Sequence, residues 1–289
     1  MSVVAFILLY GVSYGLVLCL ISVGLVVTMG LMRVINLAHG AFAAIGGYIA
    51  IGLMTHAGLP FAAAVVAAVA FVAVLSLASE KVLFVHLYGA PELDQVLMTI
   101  GVNFVVVAAL TLCFGPDVYP IRLPPWLSGS VDLGFRTFEV YRIVTMAVCL
   151  VVIGLLWVAF DRTNLGARLR AAVDNRGMAQ ATGINVPRLF SLTFATGGGL
   201  AALGGAIGAP MLPLEPTYPF KYLVLVLVVV ALSGFGNVRA VVGVSIFVGI
   251  VDTAGRFFLP DLGAFIIYVL LIVLMIWRRQ GLFAARVAT

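Results

Sequence analysis

The placement of charge constrains this chain more than any other feature. No Asp, Glu, Lys or Arg lies between Met1 and Met32, and after Arg33 none appears until Glu80. Further charge-free runs cover 95–116, 143–160, 189–214, 222–238 and 262–277. A helix needs about 20 residues to cross the hydrocarbon core of a bilayer, so each long run holds one or two crossings. Spans are expected near 4–28, 37–55, 59–79, 96–114, 142–160, 190–212, 222–236, 241–259 and 264–277. The late ones are short enough to be broken or re-entrant, which makes the count eight or nine. The expected fold is an all-α polytopic bundle, a single transmembrane domain over 1–289.

Composition agrees. Only 9% of residues are charged, against about 25% in soluble domains. Such a chain cannot cover a surface facing water, but it can cover one facing lipid. Only Met1 and Ser2 precede the first apolar run. The basic start of a secretory leader is missing, and the run is expected to stay as the first span. Cys19, Cys113 and Cys149 sit singly in apolar runs, as buried structural thiols do, and without metal-like spacing.

Basic residues set the expected orientation. The segment 161–189 carries Arg162, Arg168, Arg170, Arg176 and Arg188 against Asp161 and Asp174, and the tail adds Arg278, Arg279 and Arg286. Both are expected in the cytoplasm. Residues 115–141, with Arg122 and Arg136 against Asp117, Asp132 and Glu139, are expected outside. The N-terminus then also lies outside. The net charge of +5 is a topology signal, not a nucleic-acid footprint.

Segment 161–189 is long for a helix connection. Helix formers fill Ala167–Ala172 and Met178–Thr182, with Gly177 and Gly183 as breaks or caps. A basic, partly helical cytoplasmic element suits docking of a soluble partner; arginines that only fix topology and bind headgroups remain the alternative. The proline-rich stretch 115–141 reads as a capping loop or as a contact for an external binding protein. Clustered glycines, including Gly197–Gly199 and Gly204–Gly205, permit close helix approach. The polar breaks 36–40 and 234–237 interrupt apolar sequence, as the broken helices of transporters do at substrate sites. Asp252 and Arg256 stand four residues apart, where they can pair, either as an interfacial pair or as a functional intramembrane charge. His39 fits a structural role or a pore lining. The sequence has no catalytic constellation and no phosphate-cradling loop, so ATP hydrolysis and a resident cofactor are not expected here.

Several blocks, in order along the chain, resemble the branched-chain amino acid ABC transporter permease family. They are GLVVTMGLMRVINLAHGAFAAIGGYIA (core Arg33, Asn36, Ala38, His39, Gly40), LMTIGVNF at 97–104, TNLGARLRAAVDN with ATGINV up to Val186, the glycine-rich start of the sixth span, ALSGFGNVRAVVGVSIFVGIVD, and RRQGLF at 278–283. The resemblance implies half of a pore in a bacterial inner membrane. The partners would be a second homologous permease, two cytoplasmic ATPase subunits that carry ATP and Mg, and a periplasmic substrate-binding protein. It also implies a coupling helix in the loop before the sixth span, which points to Gly166, Arg168, Arg170, Ala171, Asp174, Ala179, Gly183, Ile184 and Asn185. Many members of the family it resembles carry an acidic residue where this chain has Gly177, which bears on one polar contact to the ATPase and not on the docking itself. Substrate-pathway candidates are Thr28, Asn36, His39, Thr99, Asn103, Thr196, Ser233 and Asp252. The competing reading is a secondary transporter driven by an ion gradient, with Asp252 as its carboxylate.

Overall fold

A computed structural model describes residues 2–32, 34–119, 121, 123–132, 134, 137–234 and 238–277. Arg33, Arg122, Arg136, most of the second polar break (235–237), and the tail with Arg278, Arg279, Arg286 and the RRQGLF block lie outside them.

The described chain is a helical bundle with one small β-ribbon. Its elements are α1 (Ser2–Met32), α2 (His39–His56), α3 (Phe61–Val82), a 3-10 turn (Phe84–Leu87), α4 (Glu92–Phe114), β1 (Ser130–Asp132), β2 (Thr137–Glu139), α5 (Val140–Arg162), α6 (Asn164–Asp174), α7 (Arg176–Ala181), α8 (Val186–Gly208), α9 (Tyr218–Lys221), α10 (Leu223–Ser233), α11 (Val238–Phe258) and α12 (Gly263–Trp277). Strands β1 and β2 pair antiparallel, with Val131 opposite Phe138. The prolines around this hairpin gave no sign of it.

Six helices are long and apolar enough to cross a membrane: Val3–Gly30 within α1, then α3, α4, α5, α8 and α11. The three other expected spans meet shorter or less apolar helices, namely α2 with 18 residues, α10 with 11 and α12 with 15. By length and composition, then, six of the described helices are candidate crossings.

Helices α1 and α8 form the centre. Within their most apolar windows 61% and 67% of residues are buried, against 17% in α4 and 11% in α5. The peripheral helices turn Leu97, Val105, Leu112, Val151 and Leu155 outward, as a lipid-facing surface requires. Lipid is as apolar as a leucine side chain, so the central helices associate through close packing rather than hydrophobic drive. Glycine makes that approach possible. A Cβ on Gly24 of α1 would stand 2.5 Å from the Gly197 carbonyl oxygen of α8, and one on Gly15 would stand 2.6 Å from the Ser245 carbonyl oxygen of α11.

The two ends of the bundle are fixed by side chains. At one end Arg142, at the start of α5, lies 4.3 Å over the Tyr10 ring of α1, and Phe6 of α1 meets Phe257 of α11 at 5.8 Å. At the other end Arg239 Nε of α11 donates to Asp161 Oδ2 of α5 at 3.1 Å. Helices α5 and α11 are thus antiparallel, and α6 leaves from the second end. Cys19 and Cys149 are buried as expected, whereas Cys113 is exposed on the outer face of α4.

Candidate functional site

Three constellations stand out. The first is the element that follows α5. Its two expected helical stretches are α6 and α7. Thr163 Oγ1 caps α6 by accepting from Leu165 N (3.2 Å), Asn175 Oδ1 caps α7 from Met178 N (2.9 Å), and Asn185 Oδ1 caps α8 from Arg188 N (3.1 Å). Gly183 has φ +87°, a left-handed conformation that closes the turn after α7 and that only glycine adopts cheaply. Gly177, expected as a break, instead lies in the first turn of α7; the cap at Asn175 makes the break.

The nine coupling candidates divide by face. Gly166 and Ala179 are buried. A Cβ at Gly166 would run into the Phe160 carbonyl, so that position seats α6 on the end of α5. Arg170 Nη1 donates to the same Phe160 carbonyl at 2.8 Å, completing a helix end. Arg168, Ala171, Asp174, Gly183 and Asn185 are exposed, and Ile184 is half-buried. A groove of about 630 Å³ runs between Leu165, Arg168, Thr182, Ile184, Asn185 and Arg188.

Glu80, which in the sequence only ends a charge-free run, supports this element. It is buried (3% exposed) at the end of α3. Its Oε1 accepts from Tyr88 Oη (2.5 Å) and its Oε2 from Ser191 Oγ of α8 (2.6 Å). Burial and the bond to Glu80 raise the Tyr88 phenol well above its usual range, which keeps it a donor. Arg176 of α7 sits 5.2 Å over the Phe190 ring, and Tyr88 meets the same ring edge-on at 6.1 Å. The cluster ties α3 and α8 to α7.

The second constellation is the polar break before α2. His39 Nε2 donates to the Ile21 carbonyl at 3.0 Å, so α2 starts beside the middle of α1. Residues 22–32 carry α1 about 16 Å further, and the non-helical stretch 34–38 returns alongside. Backbone freed from a helix at such a place needs other partners. Helix α4 supplies them. Gln95 Oε1 accepts from Ile35 N (2.8 Å), and Asn103 Nδ2 donates to Leu37 O (3.0 Å). Asn36 Oδ1 accepts from Ala38 N (3.1 Å). Gln95, Thr99, Asn103 and Leu110 are the buried residues of α4, so this helix meets its neighbours through a largely polar stripe. Asn36 Nδ2 and Asn103 Oδ1 are buried with no protein partner.

The pathway candidates therefore separate. Asn36, His39 and Asn103 gather around the break. Thr28, Thr99, Thr196 and Ser233 turn their hydroxyls onto their own helices, bonding Leu25 O, Gln95 O, Thr193 O and Val230 O. Asp252 belongs elsewhere. Gln95, which does most to hold the break, was missed. Its signal was its i, i+4, i+8 spacing with Thr99 and Asn103 in an otherwise apolar helix.

The third constellation is a cavity of about 640 Å³ at the end opposite α6. Asp252 lies in its wall, 3% exposed. Arg256 Nε donates to Asp252 Oδ2 at 2.8 Å, the pairing that their spacing allows. Arg142 and Lys221 also line it and hold Glu139 (2.9 Å) and Glu215 (2.7 Å). Among the described residues no group of His, Cys, Asp and Glu could hold a metal ion.

An apolar multi-helix bundle with a broken helix inside it and a basic two-helix element at one end defines a multi-pass membrane transport component. The chain belongs to the family described as the branched-chain amino acid transport system permease component, which it matches over residues 7–275. It is similar to the high-affinity branched-chain amino acid transport system permease protein BraD of Pseudomonas aeruginosa, with 25% identity over 95% of this chain and 94% of that one. No solved structure matches it.

Proposed function

We propose that the chain is the membrane subunit of an ATP-binding-cassette importer for branched-chain or related small amino acids. It forms half of the translocation pathway beside a second, homologous permease. Two cytoplasmic ATPase subunits, which carry ATP and Mg, dock on α6–α7, and a periplasmic binding protein delivers substrate at the opposite end. The chain is one permease domain of the bacterial inner membrane, with α2, α10 and α12 completing its eight or nine spans, its C-terminus cytoplasmic and its N-terminus periplasmic.

The observation that carries this reading is the capped, basic α6–α7 element with the turn after it, which exposes Arg168, Asp174, Gly183 and Asn185 at one end. A transporter driven only by an ion gradient has no use for such a surface. ATP closes the ATPase pair and moves the two docked elements. That motion biases a permease whose inward-open and outward-open states lie within a few kcal/mol. The Glu80–Ser191–Tyr88 cluster is the route from the docked element to α3 and α8.

The test is uptake into vesicles that hold trapped ATP, with the ion gradient collapsed and binding protein supplied. Amino-acid uptake should persist and stop when ATP is removed. Uptake that follows the gradient and ignores ATP would replace this reading with a secondary transporter.

A further inference from the structure

We propose that the cavity around Asp252 is a low-affinity binding subsite for the zwitterion of an apolar α-amino acid, built into this chain and separate from the polar break. The inference rests on the importer reading. Its location comes first. Arg142 at the cavity begins α5, and Arg162 at the other end precedes α6. The 23 residues of α5 hold these ends about 35 Å apart, so the cavity opens on the face where substrate arrives.

Chemistry selects the ligand. The buried floor carries one carboxylate, Asp252. Its Oδ2 takes the Arg256 bond, and its Oδ1 has no protein donor among the described residues. Nearby stand the rings of Tyr14 and Tyr222, whose faces attract an ammonium group. Arg142, Lys221 and Arg256 line the same space. The wall pairs cancel overall, so a lone cation or a lone anion would leave one sign of wall group without a ligand partner and carry net charge into the cavity. A zwitterion satisfies both. Its ammonium faces Asp252 and the tyrosine rings, and its carboxylate faces the guanidinium and ammonium groups. No net charge enters the cavity, so burial is cheaper than for either ion alone. Leu225, Ile267 and Phe257 leave an apolar wall for an aliphatic side chain. The volume, about 640 Å³, lies in the range of small-molecule sites. All three cations already hold carboxylates, so affinity is low, as suits a subsite that must release its ligand.

The experiment uses the permease with whatever subunits purify with it, in phospholipid nanodiscs without binding protein or ATP. Binding of three probes is measured by saturation-transfer NMR: L-leucine, 4-methylpentanoate (its carboxylate without the amine) and 3-methylbutylamine (its amine without the carboxylate). Leucine should bind saturably, and each half-molecule at least tenfold more weakly. Asp252→Asn should weaken leucine at least tenfold and leave 4-methylpentanoate unchanged or tighter. Arg142→Gln should weaken both. Equal binding of leucine and 4-methylpentanoate, unaffected by Asp252→Asn, would make this an anion or lipid-headgroup site and overturn the inference. No leucine binding would overturn it as well. ATP-driven leucine uptake by the same purified subunits, reconstituted into closed vesicles with trapped ATP and binding protein supplied, separates the two levels. Uptake without Asp252-dependent binding defeats the inference alone, binding without uptake defeats the importer reading alone, and loss of both defeats both.

Discussion

Replacing Gln95 with leucine tests how α4 is held. In lipid an added leucine gains little, because the acyl chains are as apolar as the side chain. The substitution removes the acceptor of Ile35 N at 2.8 Å and the donor to Ala90 O at 2.9 Å, together with a longer contact to Leu87 O at 3.4 Å. Hydrogen bonds between membrane helices contribute about 0.6 kcal/mol on average and about 1.7 at most. Two good bonds therefore predict a loss of about 1–3 kcal/mol. Thr99→Val is the control, since that hydroxyl bonds Gln95 O and Val96 O of its own helix and its loss should cost under about 0.5 kcal/mol. Unfolding in mixed detergent micelles, followed by the fluorescence of a fused reporter, measures both. If Gln95→Leu is no less stable than Thr99→Val, the polar stripe does not hold α4 and the account of the break is wrong.

Three further outcomes are expected. Gly24→Val should prevent assembly of the bundle, because even its Cβ would stand 2.5 Å from the Gly197 carbonyl oxygen; size-exclusion profiles after mild extraction check this. Gly183→Val forces a β-branched residue to φ +87° at a cost of about 1–3 kcal/mol. Uptake and recovery of bound ATPase should fall together while membrane insertion stays normal, and normal uptake with normal ATPase recovery would remove α6–α7 as the docking element. Glu80→Ala strips the acceptor from Tyr88 and Ser191, two bonds to a charged group at about 1.5–3 kcal/mol each. It should lower both thermal stability and the ratio of transport to ATP hydrolysis, whereas Glu80→Gln should restore most of the stability.

Much of the fold was legible because charges are forced to helix ends. The runs that end at Glu80, Asp117 and Asp161 mark helices close to where they occur, and the helix formers of 161–189 place α6 and α7. The Asp252–Arg256 pair follows from helical spacing alone. What the sequence hid depends on partners far along the chain. Glu80 reads as an interfacial charge until Ser191 of α8 covers it. Gln95 reads as the edge of an apolar run until the break brings the Ile35 amide to it. The threonines and Ser233 look like polar lining, yet a hydroxyl in a helix can bond its own backbone, and periodicity does not say when it will. Gly177 signals a break by composition, but the cap at Asn175 sets the boundary two residues earlier. The β1–β2 ribbon is too short and its flanks too proline-rich to give a strand pattern.

The proposed role of this chain is that of one of two permeases clasped by cytoplasmic ATPases. Its most direct test is purification of the tagged chain from its native membrane in mild detergent, followed by mass spectrometry of the intact assembly. A second, similar permease and two ATPase chains should be present in the complex. Recovery of this chain alone, under conditions that keep a known ABC importer assembled, would contradict it.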